Sequence, residues 1–186
     1  GTPMTERNLA ALLNPKSVAV VGVSPKARFG SDFLKNVEKI GFTGAIYPIN
    51  PNYPEFEGRT CYPSLASLPA VPDCVIVLVP AKGVNDVIEE AGKLGVGGAI
   101  VVGQGFADLG TDQGRARQKR LLALADQYGM AIAGPNCLGV SSFGYGFANT
   151  YAASVPKARP GGISIISQSG GRSEEHTSEL QSRFGI

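Results

Sequence analysis

The chain has 186 residues, 43% hydrophobic and 17% charged, which gives room for one domain with a real core, or one domain and the start of another, and excludes disorder throughout. Seventeen Lys and Arg against 15 Asp and Glu leave a net charge of +2, too weak a basic excess to call for nucleic acid. The 25 glycines follow no G-X-Y period and no apolar run nears the roughly 18 residues of a membrane span, so collagen and a helical membrane protein are both excluded.

In chain order, residues 5–14 read as a short helix capped by Thr5 and closed at Asn14 and Pro15. The β-branched run SVAVVGV at 17–23 predicts a buried strand. A polar loop at 24–30 leads to Ser31, the cap of a helix over 32–40 that carries Phe33, Leu34, Val37 and Ile40 on one face and stops at Gly41. A second strand follows at 45–50, frayed by Pro48. Residues 51–72 are loop-rich, with a helical turn at 65–68. A third strand covers 74–80, a helix runs from about 84 to 94 and stops at Gly95, and a fourth strand covers 98–103. The helix over 111–128 puts Leu121, Leu122, Leu124 and Ala125 on its apolar side and Arg115, Arg117, Lys119 and Arg120 on its wet side. A fifth strand covers 130–135.

Strands apolar on both faces, alternating with helices, predict an α/β fold: a Rossmann-like, doubly wound parallel sheet covered on both sides. Such sheets bind ligands beyond the carboxyl ends of their strands, near the point where strand order reverses. The unusual residues fall there: 24–30, 50–52, Pro80, 104–106 and 134–139. After Pro135 the text turns Gly-, Ser-, Tyr- and Pro-rich without periodicity, until GISIISQSGG at 162–171 opens a further strand. That change predicts the truncated start of a second α/β domain. The organisation expected is a leader at 1–3 before Met4, a first domain at 4–135, a linker and second-domain start at 136–171, and a tail at 172–186.

The tail is foreign in character. RSEEHTSELQ, from Arg172, is similar over its whole length to the translation of a common sequencing-library adapter, and apolar residues nearly vanish there. His176, the single histidine, falls in this run and is read as tail rather than as a catalytic base. The cysteines Cys61, Cys74 and Cys137 lack CxxC spacing, so no zinc site or disulfide framework follows, and a reduced, cytoplasmic setting is expected.

The first strand enters a loop suited to phosphate. Gly22 permits a sharp turn, Ser24 can donate to a phosphate oxygen, and Gly30 lets the chain approach closely before the next helix. Pro25 lies in the loop, and Lys26 or Arg28 can add a charge-assisted contact. A plain βα turn explains the same residues. The loop is neither G-x-G-x-x-G nor a Walker loop. The second strand ends on Asn50, where an NAD site usually carries Asp or Glu. Asn50 and Asn52 instead offer neutral hydrogen bonds to a base or sugar.

Taken together, NPKSVAVVGVS at 14–24, GFTGAIYPINPN at 41–52, GRTCYPSLASLP at 58–69, PDCVIVLVPA at 72–81, GFADLG at 105–110, AGPNCLGV at 133–140 and ISIISQSGG at 163–171 resemble the CoA-binding domain of the NDP-forming acyl-CoA synthetases. That family includes the ADP-forming acetate–CoA ligases and the alpha subunit of succinyl-CoA synthetase. The resemblance implies coenzyme A as cofactor, with Gly22, Ser24 and the loop through Pro25, Lys26, Arg28 and Gly30 on its phosphates. It implies Asn50, Pro51 and Asn52 along the nucleotide, Val79, Pro80 and Ala81 beside it, and Gln104, Gly105 and Phe106 near the pantetheine or thiol end. Asn136 and Cys137 would shape the thioester region. Ser167, Gln168, Ser169 and Gly170 would open a helix of a flavodoxin-like second domain, pointing at a phosphohistidine. Gln104 departs from the small residue usual in the family, which bears on the acyl end.

The implied activity interconverts acyl-CoA, NDP and phosphate with carboxylic acid, CoA and NTP through acyl phosphate and phosphohistidine. ATP or ADP and Mg2+ would sit on an ATP-grasp domain or subunit as partner, leaving this chain a fragment inactive alone. CoA and acyl-CoA are the expected ligands, with no nucleic acid or membrane partner, and with room for oligomerisation. Two other readings stand beside this one: a CoA-sensing regulatory domain of a lysine acetyltransferase, and an NAD-binding oxidoreductase domain.

Overall fold

The computed structural model describes residues 5–26, 34–35, 43–102, 105–134 and 165–166. Helix α1 (Glu6–Leu13) starts at Thr5, whose hydroxyl accepts from the Asn8 N–H at 3.1 Å, and buries Leu12 and Leu13. Strand β1 (Ser17–Val21) pairs in parallel with β2 (Ala45–Ile49) on one side and with β5 (Cys74–Val77) on the other. Strands β6 (Gly98–Val101) and β7 (Ala131–Ala133) extend the parallel sheet. The order is β2-β1-β5-β6-β7-β8, where β8 is Ile165–Ile166, so the chain moves outward from β1 to β2 and then returns across β1 to β5. That reversal opens a crevice at the carboxyl ends of β1 and β5.

Both sheet faces are buried, which is why the strand sequences are continuously apolar. Val18, Val20, Ile76 and Ile100 pack on the side of α1 with Leu12 and Leu13. Their neighbours Ala19, Val21, Val75, Val77, Ala99 and Val101 share the opposite core with α2 (Ala81–Leu94) and α3 (Asp112–Tyr128). Gly95 and Gly129 end those helices in the left-handed conformation, at φ +89° and +62°. Of the helix expected over 32–40, Leu34 and Lys35 are helical, with Leu34 buried; the rest lies outside the described residues.

Several boundaries differ from the sequence expectation. The first, third and fourth strands end two or three residues early, because their apolar runs continue beyond the ladder into the crevice. Helix α2 starts earlier, at Ala81, because Pro80, at φ −55°, delivers the chain in a helix-ready direction. Pro48 does not fray β2. It pairs with Val20, and its carbonyl accepts from Tyr62 on the outer side. Its missing N–H faces that outer edge too, where a proline costs no ladder bond. The loop-rich stretch holds an antiparallel ribbon, β3 (Glu55–Phe56) with β4 (Arg59–Thr60), turned by Glu57 and Gly58 at positive φ. Leu122, expected on the apolar side of α3, is 38% exposed. The strand expected at 162–171 is β8 (Ile165–Ile166), which joins the same sheet antiparallel to β7. The sheet is therefore a Rossmann-like parallel one with one antiparallel edge strand.

Gly98 explains how α1 reaches the sheet. A methyl group there would lie 2.7 Å from the Leu12 N and 2.8 Å from its Cα, so helix and strand backbones touch. Gly98→Ala should cost about 1–3 kcal/mol of stability, read from the denaturant midpoint. An unchanged midpoint would show that α1 does not press on β6.

Candidate functional site

Gly22 leaves β1 at φ +100°, a conformation glycine adopts freely and other residues rarely do. Its N–H donates to the Ile49 carbonyl at 3.0 Å, and the Leu78 N–H donates to the Val21 carbonyl at 2.8 Å. A Cβ on Gly22 would stand 3.1 Å from both the Val79 N and its Cγ1. The ends of β2, β1 and β5 are thus locked together by backbone alone. Beyond them, the Ser24 hydroxyl accepts from the Lys26 N–H at 3.1 Å, closing a small turn that leaves Pro25 and Lys26 exposed.

Asn50 joins the two loops. Its Nδ2 donates to the Val23 carbonyl at 2.6 Å, and its Oδ1 accepts from the Asn52 N–H at 2.8 Å. Its backbone N–H donates to the Tyr62 carbonyl at 3.0 Å. One Nδ2 hydrogen remains beyond these bonds. A cleft of about 270 Å³ opens here, lined by Gly22, Asn50, Pro51, Asn52 and Val79, and also by Pro63, Ser64, Leu65 and Glu90. The last four were not anticipated as site residues. Pro63, Ser64 and Leu65 arrive through the isolated bridge of Tyr62 to Ile49, which returns the chain beside β2 and which no periodicity announces, while Glu90 comes from α2.

Farther along the sheet, Gly105 turns at φ +114° against the start of α2, and a Cβ on it would come within 2.6 Å of the Ala81 Cβ. The 79–81 and 105 groups are therefore neighbours. Phe106, expected near the pantetheine or thiol end, follows Gly105 with its side chain in the core. Its side chain is 1% exposed and belongs to the core with Val84, Leu121 and Leu124. A phenyl ring at this position gains more from that core than from a wet cleft. Arg28, Gly30, Gln104, Asn136, Cys137, Ser167, Gln168, Ser169 and Gly170 lie outside the described residues.

Helix α2 begins at this end of the sheet without a side-chain cap and without an acidic residue in its first turn. Its free N–H groups and positive dipole end suit an anion. A larger cavity, about 330 Å³, sits at the opposite, amino end of the strands, lined by Arg7, Lys16, Asp73 and Gly95 among others. Gly95 marks the carbonyl end of α2, a poorer place for a polyanion, while Arg7 and Lys16 bring positive charge to that cavity and Glu90 brings negative charge to the smaller cleft.

Cys61 and Cys74 are buried free thiols. Burial pushes both above the ordinary thiol value; a hydrogen bond to the Asn50 backbone partly opposes this at Cys61, and the Asp73 carboxylate adds to it at Cys74. Neither is poised as a nucleophile. Among the described residues, no group of His, Cys, Asp and Glu could hold a metal, and no helix is long and apolar enough to cross a membrane.

Residues 16–142 match the family model of the CoA binding domain. The chain belongs to that family. This CoA-binding domain is 38% identical over 160 residues to acetate–CoA ligase (ADP-forming) I of Archaeoglobus fulgidus, covering 86% of the chain and 23% of the ligase. It is 40% identical to the alpha subunit of acetate–CoA ligase (ADP-forming) I of Pyrococcus furiosus, over 88% of the chain and 36% of the subunit. Among solved structures, acetyl-coenzyme A synthetase 1 of Ca. Korarchaeum cryptofilum in its apo form matches with a TM-score of 0.69 and 37% identity, over 80% of this chain and 31% of that one. The same synthetase in complex with phosphate and ADP matches with a TM-score of 0.65 and 38% identity, over 72% of this chain and 28% of that one. The CoA-binding domain thus spans about a quarter to a third of the length of these relatives.

Asn50 brings a neutral amide to the cleft wall, where a carboxylate would repel a phosphate group. Asn50→Asp removes the donor to Val23 and adds that repulsion. CoA affinity should fall by about tenfold or more in calorimetric titration, and unchanged affinity would remove Asn50 from the site.

Proposed function

We propose that this chain is the CoA-holding part of an NDP-forming acyl-CoA synthetase. The observation that carries the reading is the left-handed Gly22 turn locked against Val79 at the strand reversal, beside the uncapped start of α2. In this reading the 22–26 turn, continued by Arg28 and Gly30, receives CoA phosphates, with Lys26 supplying charge. Asn50, Pro51 and Asn52 run along the nucleotide. Val79, Pro80 and Ala81 flank the cofactor, and Gln104 and Gly105 approach the thiol end. Asn136 and Cys137 shape the thioester region.

The whole enzyme would interconvert acyl-CoA, NDP and phosphate with acid, CoA and NTP through acyl phosphate and phosphohistidine. ATP or ADP and Mg2+ would bind an ATP-grasp partner domain or subunit. Of residues 136–171, expected as linker and second-domain start, Ile165–Ile166 adds an edge strand to the first sheet, so a flavodoxin-like domain would begin after it, with 167–170 opening the helix that faces the phosphohistidine. Residues 172–186 would be adapter text, and the chain alone would bind CoA without turnover. The ligase relatives favour this reading over the acetyltransferase one, and the neutral Asn50 disfavours NAD.

Calorimetric titration with CoA, dephospho-CoA and NAD tests the proposal. CoA should bind more tightly than dephospho-CoA, and NAD should give no saturable heat. Preference for NAD would overturn the reading. Turnover of acid, ATP and CoA by the chain alone would overturn its fragment status.

A further inference from the structure

The four basic residues at 115–120 do not share one environment. Arg115 pairs with Asp112 and donates to the Gly110 carbonyl at 2.8 Å, and Arg120 lies 3.6 Å from Glu89 at the surface. Lys119 is exposed. Arg117 turns inward, is partly buried, and donates from Nη1 to the Gly105 carbonyl at 3.0 Å. Its own backbone carbonyl accepts from the Asn85 Nδ2 at 3.2 Å, which ties this turn of α3 to α2. From the other side the Asp108 carboxylate accepts from the Phe106 N–H at 2.8 Å and from the Gly105 N–H at 3.4 Å.

Gly105 is therefore gripped at both polar groups, N–H by Asp108 and C=O by Arg117, while its missing side chain lets it lie on Ala81. A glycine at φ +114° has no side chain of its own to hold that turn. The grip must come from outside, and a guanidinium is a strong, directional donor for it. We propose that Arg117 is a positioning residue: by holding the Gly105 carbonyl it sets the 105 turn against the start of α2, and so sets where the pantetheine end of CoA lies. This rests on the reading that Gly105 faces that end of the cofactor.

The test compares CoA with adenosine 3′,5′-bisphosphate, which lacks pantetheine, on the full chain and on Arg117→Met and Arg117→Lys. The unsubstituted chain should bind CoA more tightly than the bisphosphate; absence of that gap would refute the placement of Gly105, whatever Arg117 does. Given the gap, Arg117→Met should weaken CoA by about 5- to 10-fold and leave the bisphosphate unchanged, with Arg117→Lys in between. Equal losses for both ligands, or no loss for either, would overturn the role of Arg117. If Arg117→Met fails to fold, Arg117→Lys carries the same comparison: selective loss supports the role, and equal loss or none overturns it.

Discussion

Val79 sits where a side chain of Gly22 would be, and the crevice depends on that contact. The strand order reverses between the parallel neighbours β1 and β5, so the loops leaving these strands diverge and open a gap. The gap serves a ligand only if the strand ends stay close beneath it. Gly22 accomplishes this with a positive φ and no side chain, since a Cβ there would lie 3.1 Å from Val79. A larger residue would press Val79 back by a few tenths of an ångström and strain its own backbone.

From that contact a row of backbone-level links crosses the sheet. Asn50 binds the β1 loop to the β2 loop, Gly22 meets Val79, and Gly105 meets Ala81. Each link uses a glycine, a main-chain group or a neutral amide. They leave a cleft lined by Gly22, Asn50, Pro51, Asn52 and Val79, with Glu90 also on its wall, and Val79 leads by one residue into the uncapped start of α2. The two described cysteines take no part in this chemistry, because burial keeps them protonated.

The strands were legible because burial on both faces demands unbroken apolar runs, as in Val18–Val21 beside Cys74–Val77. The helix ends at Thr5 and Gly95 were legible because each meets a local backbone need. Strand ends were not, since Leu78 and Val79 are as apolar as the residues before them while lying past the ladder. The 55–60 ribbon escaped notice because Glu57 takes the left-handed turn position that glycine or asparagine usually signals. At the site, the Gly22 and Asn50 loops could be read from residue type and place. The inward turn of Arg117 and the burial of Phe106 could not, because both depend on how α3 packs over the 105 turn. A charge-rich helix face looks solvated in sequence whether or not one of its members bends back.

The central claim is that CoA lies across the carboxyl ends of β2, β1, β5 and β6. Hydrogen–deuterium exchange of the chain with and without CoA tests it most directly. Amide exchange should slow at residues 22–26, 50–52, 79–82 and at Gly105. Slowing at residues 7–16 and 71–73 instead, at the amino ends of the strands, would contradict the claim.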